Sequence, residues 1–143
     1  MTVKEYLRQA FCLKCDIERK QNQILELQAM AERTTGSYAA LRVSGTTSRS
    51  KLENAVTRLA DIGDELAKDL AAYREKYREI SAVIDAVENP IYRELLSLRY
   101  LSFMKWEDIA VMMGKTHHHV THWIHPKALM EVEKELIRRE EKQ

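Results

Sequence analysis

The chain has 143 residues, 45% of them hydrophobic, with a mean hydropathy of −0.46, enough apolar material to bury a core and unlike a disordered tail. Its 23 Lys and Arg nearly balance 22 Asp and Glu, for a net charge of +1, so the global basic excess of many nucleic-acid-binding proteins is missing. No apolar stretch is long enough for a membrane helix, and the opening residues MTVKEYLRQAF lack the apolar centre of a signal peptide; both features predict a cytoplasmic protein with no membrane partner.

The first element predicted is a helix. Val3, Tyr6, Ala10, Leu13, Ile17, Ile24, Leu27 and Ala31 recur at alternating spacings of three and four, with Lys20 interrupting at one seam position. Cys12 and Cys15 form a CxxC inside this helix, without a turn glycine, a second CxxC or a nearby histidine. That context predicts two reduced thiols beside the seam, neither a metal site nor a redox pair. Residues of about 32–50, including TTGSYAALRVSGTTSRS, are rich in Ser, Thr and Gly and hold no acid between Glu32 and Glu53. They read as a connecting loop, with Arg33, Arg42, Arg49 and Lys51 as candidate phosphate contacts and a plain connection as the favoured role.

A second seam follows through Leu52, Val56, Leu59, Gly63, Leu66, Leu70, Tyr73, Tyr77, Ile80, Ile84 and Val87. A helix from Lys51 to Val87 would be roughly 55 Å long and needs a partner helix to cover it. Seven-residue repeats favour a left-handed supercoil, so residues 1–88 are expected to form a long antiparallel coiled-coil hairpin. Self-association through the seam is expected, with a homodimer favoured.

Asn89-Pro90 marks the next boundary, because Asn is a good N-cap and Pro suits the first helical position. Residues 89–143 should then form a second, helical domain. Ile91, Leu95, Leu98 and Leu101 give its first helix an apolar face, and Phe103-Met104 breaks to the next. In WEDIAVMMGKTHHHVTHWIH, Ile109 and Ala110 lie on one helix and Gly114 can take the left-handed conformation of a sharp turn. Val120 and Trp123 then pin a second helix against Ile109 and Met113. That is the layout of a helix-turn-helix. The face left over carries Thr116, His117, His118, Thr121 and His122, polar groups at positions that enter a major groove in such motifs. From Ile109 to Met130 there is no acid, while Lys115, Lys127 and all five histidines lie there. A locally positive face of this kind suits phosphate contacts. The recognition helix should end near Pro126, and Ala128, Leu129, Val132 and Leu136 suggest a closing helix that dissolves into the tail IRREEKQ. No segment alternates as a strand does, so the fold class expected is all-α.

Residues 89 to 136, PIYRELLSLRYLSFMKWEDIAVMMGKTHHHVTHWIHPKALMEVEKEL with the preceding Asn89, resemble region 4 of sigma-70-type transcription factors. There an ELLxLRY-like helix precedes a WEDIA-like helix, a Gly-centred turn, the recognition helix and a closing KAL segment. With the coiled coil and the SG-containing loop, the whole chain is similar to small phage and prophage proteins related to the ArpU and RinA late transcription regulators. The resemblance implies a DNA-binding regulator of a phage or integrated element in a bacterial cell, and in sigma factors this fold also touches RNA polymerase. Phe103 stands where relatives usually have a turn glycine and Lys105 where a Ser or Thr would cap the next helix, which predicts a looser or differently shaped turn. Pro126 adds a residue before the Lys-Ala-Leu segment, which is expected to reorient the last helix.

The function expected is therefore sequence-specific binding of double-stranded DNA through Lys115, Thr116, His117, His118, Thr121, His122 and Lys127. Two alternatives are a packaging factor of small-terminase type and a polymerase-binding adaptor that does not read DNA. His118 and His122 have the spacing of a metal pair, but no third and fourth ligands are at hand, so no metal is expected. Imidazole titrates near roughly 6.5 and an adjacent phosphate favours its protonation, so DNA binding should be pH-sensitive. No Gly-rich phosphate loop, Ser-His-Asp set or paired buried carboxylates can be identified, so neither an enzyme nor a cofactor is expected.

Overall fold

A computed structural model describes the backbone of residues 1–40 and 45–143 and the side chains of residues 1–33 and 49–143. These residues are mostly helical, with no strand among them. The helices are α1 (Val3–Leu7), α2 (Gln9–Ala40), α3 (Gly45–Asp85), α4 (Pro90–Tyr100), α5 (Trp106–Met113), α6 (His117–His119) and α7 (His125–Glu141), with a π-helical turn over Val120–Ile124 between the last two. None is long and apolar enough to cross a membrane.

The expected loop of residues 32–50 is corrected at both ends, because α2 runs to Ala40 and α3 begins at Gly45; residues 41–44, Arg42 among them, lie outside the described residues. Ser, Thr and Gly cost a formed helix at most about 1 kcal/mol each, while every added residue gains a hydrogen bond, so a long helix can extend through such a stretch. Of the other cations singled out there, Arg33 and Lys51 are exposed and Arg49 pairs with Glu53 at 3.2 Å.

The chain divides into two compact units, Leu13–Ala72 and a second made of Met1–Cys12 with Tyr73–Gln143. In the first, Ile17, Ala55 and Ile62 are buried. The expected register of α3 is corrected here, since Ala55 and Ile62 take the inward positions given to Val56 and Gly63, both exposed. The true period of 3.6 drifts against a strict heptad over so long a helix, so neighbouring positions exchange roles along it. Lys20 finds its partner in this unit: Nζ lies 2.6 Å from Asp69 Oδ2, with 16% and 23% of the two side chains exposed. A half-buried ion pair inside an apolar seam contributes more to register than to stability.

The second unit holds the larger core. Leu7 and Ala10, Ile80, Val83, Ile84 and Val87, Leu95, Leu96 and Tyr100, Ile109 and Ala110, and Val120, Ile124, Ala128 and Val132 bury one continuous apolar cluster. The core therefore extends beyond residues 89–143, taking in the start of the chain and the end of α3. Thr2 and Glu5 form a capping box on α1, and Tyr6 donates to Glu79 at 2.8 Å, fastening α1 to α3. The Asn89-Pro90 boundary forms as the residues dictate: Asn89 Oδ1 accepts from the Ile91 N–H at 2.9 Å, with Pro90 at the first helical position. On α4 the inward face runs through Leu95, Leu96 and Tyr100, while Ile91 is exposed, which corrects the expected stripe from Ile91 to Leu101.

The turn after α4 is wide. Ser102 N–H donates to Ser97 O at 2.9 Å, and Met104 N–H reaches Leu98 O at 3.0 Å. Phe103 sits at φ 59, the left-handed conformation that a glycine would adopt freely. After α5 the turn is tighter. Gly114 has φ 66, its N–H bonds Val111 O at 3.2 Å, and Lys115 N–H bonds Ala110 O at 3.0 Å, the two hydrogen bonds of a Schellman ending. No atom lies within 4 Å of where a Cβ on Gly114 would stand, so the cost of a side chain there is conformational alone. Gly114→Ala is expected to destabilise by about 1 kcal/mol and Gly114→Asn by less, measured as shifts in the urea midpoint.

The helix starting at His117 does not end near Pro126, as the sequence suggested, but runs into α7 without a break. Pro126 has no N–H, and its ring would collide with the carbonyl four residues back in a regular helix. The π-helical turn widens the path at that point, and His125 N–H bonds Val120 O, five residues back. The closing helix does not dissolve into the tail IRREEKQ as expected: α7 continues to Glu141, and Glu135 accepts from Arg138 at 2.6 Å and from Arg139 at 2.7 Å. These two guanidiniums hold the Glu135 carboxyl down to about 2.

Candidate nucleic-acid interface

The helix that carries the histidines is positioned from behind. Val120 is fully buried and Ile124 is 6% exposed, whereas Trp123 is 56% exposed. Ile124, four residues after Val120, takes the inward role expected of Trp123. His125 is a second anchor rather than a surface group, at 5% exposure. Its Nε2 is 2.6 Å from the Tyr100 hydroxyl, and its ring meets the Trp106 ring with centroids 4.6 Å apart. Burial, with Lys4 and Arg99 nearby, lowers its pKa to about 4, so it is neutral at pH 7. Burial raises Tyr100 to about 12, so the phenol keeps its proton and shares one hydrogen bond with the neutral ring at Nε2. Arg99 lies 4.5 Å from the Trp106 ring centre and donates to Met104 O at 2.9 Å. This group of rings and cation joins α4, α5 and α7, and so holds the helix between them.

The outward face begins with Lys115, exposed, at the end of the Gly114 turn. Thr116 is the N-cap of α6, its Oγ1 accepting from His119 N–H at 3.1 Å. His117 is exposed, with Nε2 at 4.0 Å from Glu107 Oε1. His118 and His122 stack with centroids 4.2 Å apart and planes 20° apart. Thr121 Oγ1 donates to His117 O at 2.9 Å and lies 2.9 Å from His122 Nδ1. A hydroxyl has one proton, so donation to His117 O leaves Oγ1 to accept from His122 Nδ1–H. His122 Nε2 is then the ring nitrogen left without a partner from this cluster.

Lys115, Thr116, His117, His118, Thr121 and His122 thus fall within two turns, joined by the N-cap, the hydroxyl bond and the stacked rings. Lys127 makes its contact elsewhere, with Nζ 6.0 Å from the centre of the Trp123 ring. The sequence reading missed the anchoring role of His125 and the exposure of Trp123. The first was open to inference from the adjacency of His125 to the inward series 120, 124, 128 and 132. The second depends on the widened turn, which no local pattern announces. Among the described residues no three His, Cys, Asp or Glu side chains gather as metal ligands, and Cys12 and Cys15 are free and exposed.

No curated protein and no solved structure matches the chain. A family model described as a protein of unknown function, DUF1492, matches residues 32–133. That span begins in α2 and ends in α7, taking in the Gly114 turn, the histidine face and the π-helical turn, and so the chain belongs to the DUF1492 family.

Proposed function

We propose that this protein is a sequence-specific DNA-binding transcriptional regulator of a phage or integrated element. In this reading α5, the Gly114 turn and the helix beginning at His117 form a helix-turn-helix of the sigma-70 region 4 type. The observation that carries it is the two-sided character of the helix from His117. Its inner side is locked by Val120, Ile124 and His125, while its outer side presents Lys115, Thr116, His117, His118 and His122 to solvent. No acid occurs from Ile109 to Met130, so a phosphate backbone can approach without repulsion from this segment.

Roles divide by chemistry. Lys115 contacts phosphate, and His118, His122 and Thr121 meet base edges in the major groove. The seams of α2 and α3 form an antiparallel coiled-coil hairpin that brings two copies together, and a dimer gains affinity because the second half-site binds at high effective concentration. Selection from a random duplex pool tests this reading. Enrichment of one motif, repeated with two-fold symmetry, is the expected outcome; a pool that stays random after repeated rounds contradicts it and favours a polymerase-binding adaptor.

A further inference from the structure

A second feature of the Met1–Cys12 and Tyr73–Gln143 unit stands apart from the histidine face. Arg8, Phe11, Arg99, Tyr100, Phe103 and Lys105 line a cavity of about 290 Å³, near the lower end of the range of small-ligand pockets, about 300–1,000 Å³. Three of the six are cations, three are aromatic, and none is a carboxylate. Among the described residues none of the three cations forms an ion pair. Arg8 lies 5.9 Å from the Phe11 ring centre, and Arg99 lies over Trp106 while donating one N–H to Met104 O. Lys105, at the N-cap of α5, makes no side-chain capping bond.

Unneutralised cations beside one another repel, and other charged side chains in this protein do pair: Lys20 with Asp69, and Arg138 and Arg139 with Glu135. Phe11 and Phe103 meet with centroids 5.8 Å apart and planes tilted by 52°, giving the cavity an aromatic wall. Phe103 reaches that wall from a φ of 59, a conformation in which a bulky side chain is strained and glycine is not. Strain held at a cavity wall is a mark of a site that needs the side chain.

We propose that this cavity binds a small aromatic phosphate, the chemical class of a free nucleoside monophosphate. The phosphate sits among Arg8, Arg99 and Lys105, and the planar ring packs on Phe11 and Phe103. Guanidinium groups match a phosphate with paired N–H donors, and stacking on aromatic side chains accepts any base. The site stands whether or not the histidine face reads DNA, because it shares no residue with that face.

Calorimetric titration of the full chain with AMP, GMP, CMP and UMP tests the proposal, with inorganic phosphate, adenosine and a 5′-phosphorylated DNA strand as separate arms. Saturable one-to-one binding of mononucleotides is expected, about tenfold or more tighter than phosphate or nucleoside alone. Arg8→Gln combined with Lys105→Gln, both exposed and without structural hydrogen bonds from their side chains among the described residues, should weaken binding by about tenfold or more. Phe103→Leu, which keeps an apolar side chain against the core, should weaken mononucleotide binding while leaving the affinity for inorganic phosphate unchanged, a split that a merely structural role would not produce. Absence of saturable binding by any mononucleotide overturns the proposal. So does equal affinity for inorganic phosphate, which removes the aromatic part, and so does preference for the DNA strand, which assigns the cavity to nucleic acid.

Discussion

Truncating Leu95 to alanine is expected to cost about 2–5 kcal/mol. Leu95 is fully buried on α4 within the cluster that joins α3, α4, α5 and α7. Losing its isobutyl group removes apolar burial and leaves a cavity that helices on several sides cannot all close. Small domains are stable by only about 5–15 kcal/mol, so the loss brings the unit toward its unfolding limit. Ile91 on the same helix is 44% exposed, and Ile91→Ala should stay within about 0.5 kcal/mol. Urea unfolding checks the pair: a large fall in midpoint for Leu95→Ala at unchanged slope, and almost none for Ile91→Ala. Equal shifts for both would mean that the inward face of α4 has been misassigned.

Acidification from pH 6.5 to 4 is expected to remove about 3 kcal/mol of stability through His125 alone. Burial lowers its folded pKa to about 4, against an ordinary value of 6.5. Between these values the unfolded chain binds the proton and the folded chain does not, so stability falls as pH falls. The contribution is fully present above pH 6.5 and fully lost below about 4. A protonated imidazole has no acceptor at Nε2, so the Tyr100 hydroxyl, 2.6 Å away, must accept from it and turn its own proton elsewhere. His125→Gln keeps an acceptor for that hydroxyl but does not titrate, so the difference in stability between the two proteins should shrink steadily from pH 6.5 to 4. A constant difference across this range would show that His125 titrates as it does in water.

Much of this framework is open to a reader of the residues. Asn89-Pro90 caps α4 because both side chains act through local geometry. Gly114 turns the chain because a left-handed residue is needed there, and the acid-free run around the histidines is a matter of composition. Other features depend on what the chain meets in space. Lys20 looks like a flaw in an apolar seam until Asp69, far along the chain, supplies its partner. Val56 and Ala55 are adjacent, and only the drift of a long helix decides which one turns inward. Pro126 ordinarily ends a helix, and the turn that lets it stay spans Val120–Ile124, where nothing in composition marks a π-helix. Trp123 and Ile124 exchange places for the same reason. Phe103 in a glycine conformation escapes local rules altogether, because its strain is tolerated by tertiary contacts.

The claim that the helix from His117 reads DNA is tested most directly by comparing two substitutions across salt concentration, using the duplex selected from the random pool and an unrelated duplex. His118→Ala with His122→Ala should reduce discrimination between the two duplexes by about 1–3 kcal/mol for each lost base contact. Lys115→Ala should weaken both duplexes alike and flatten the dependence on salt by about one phosphate contact. The fold should survive, since Val120, Ile124 and His125 hold the helix and remain untouched. Discrimination by the histidine double variant equal to that of the unaltered protein, at matched salt and pH and with helicity intact, would contradict direct readout by this face.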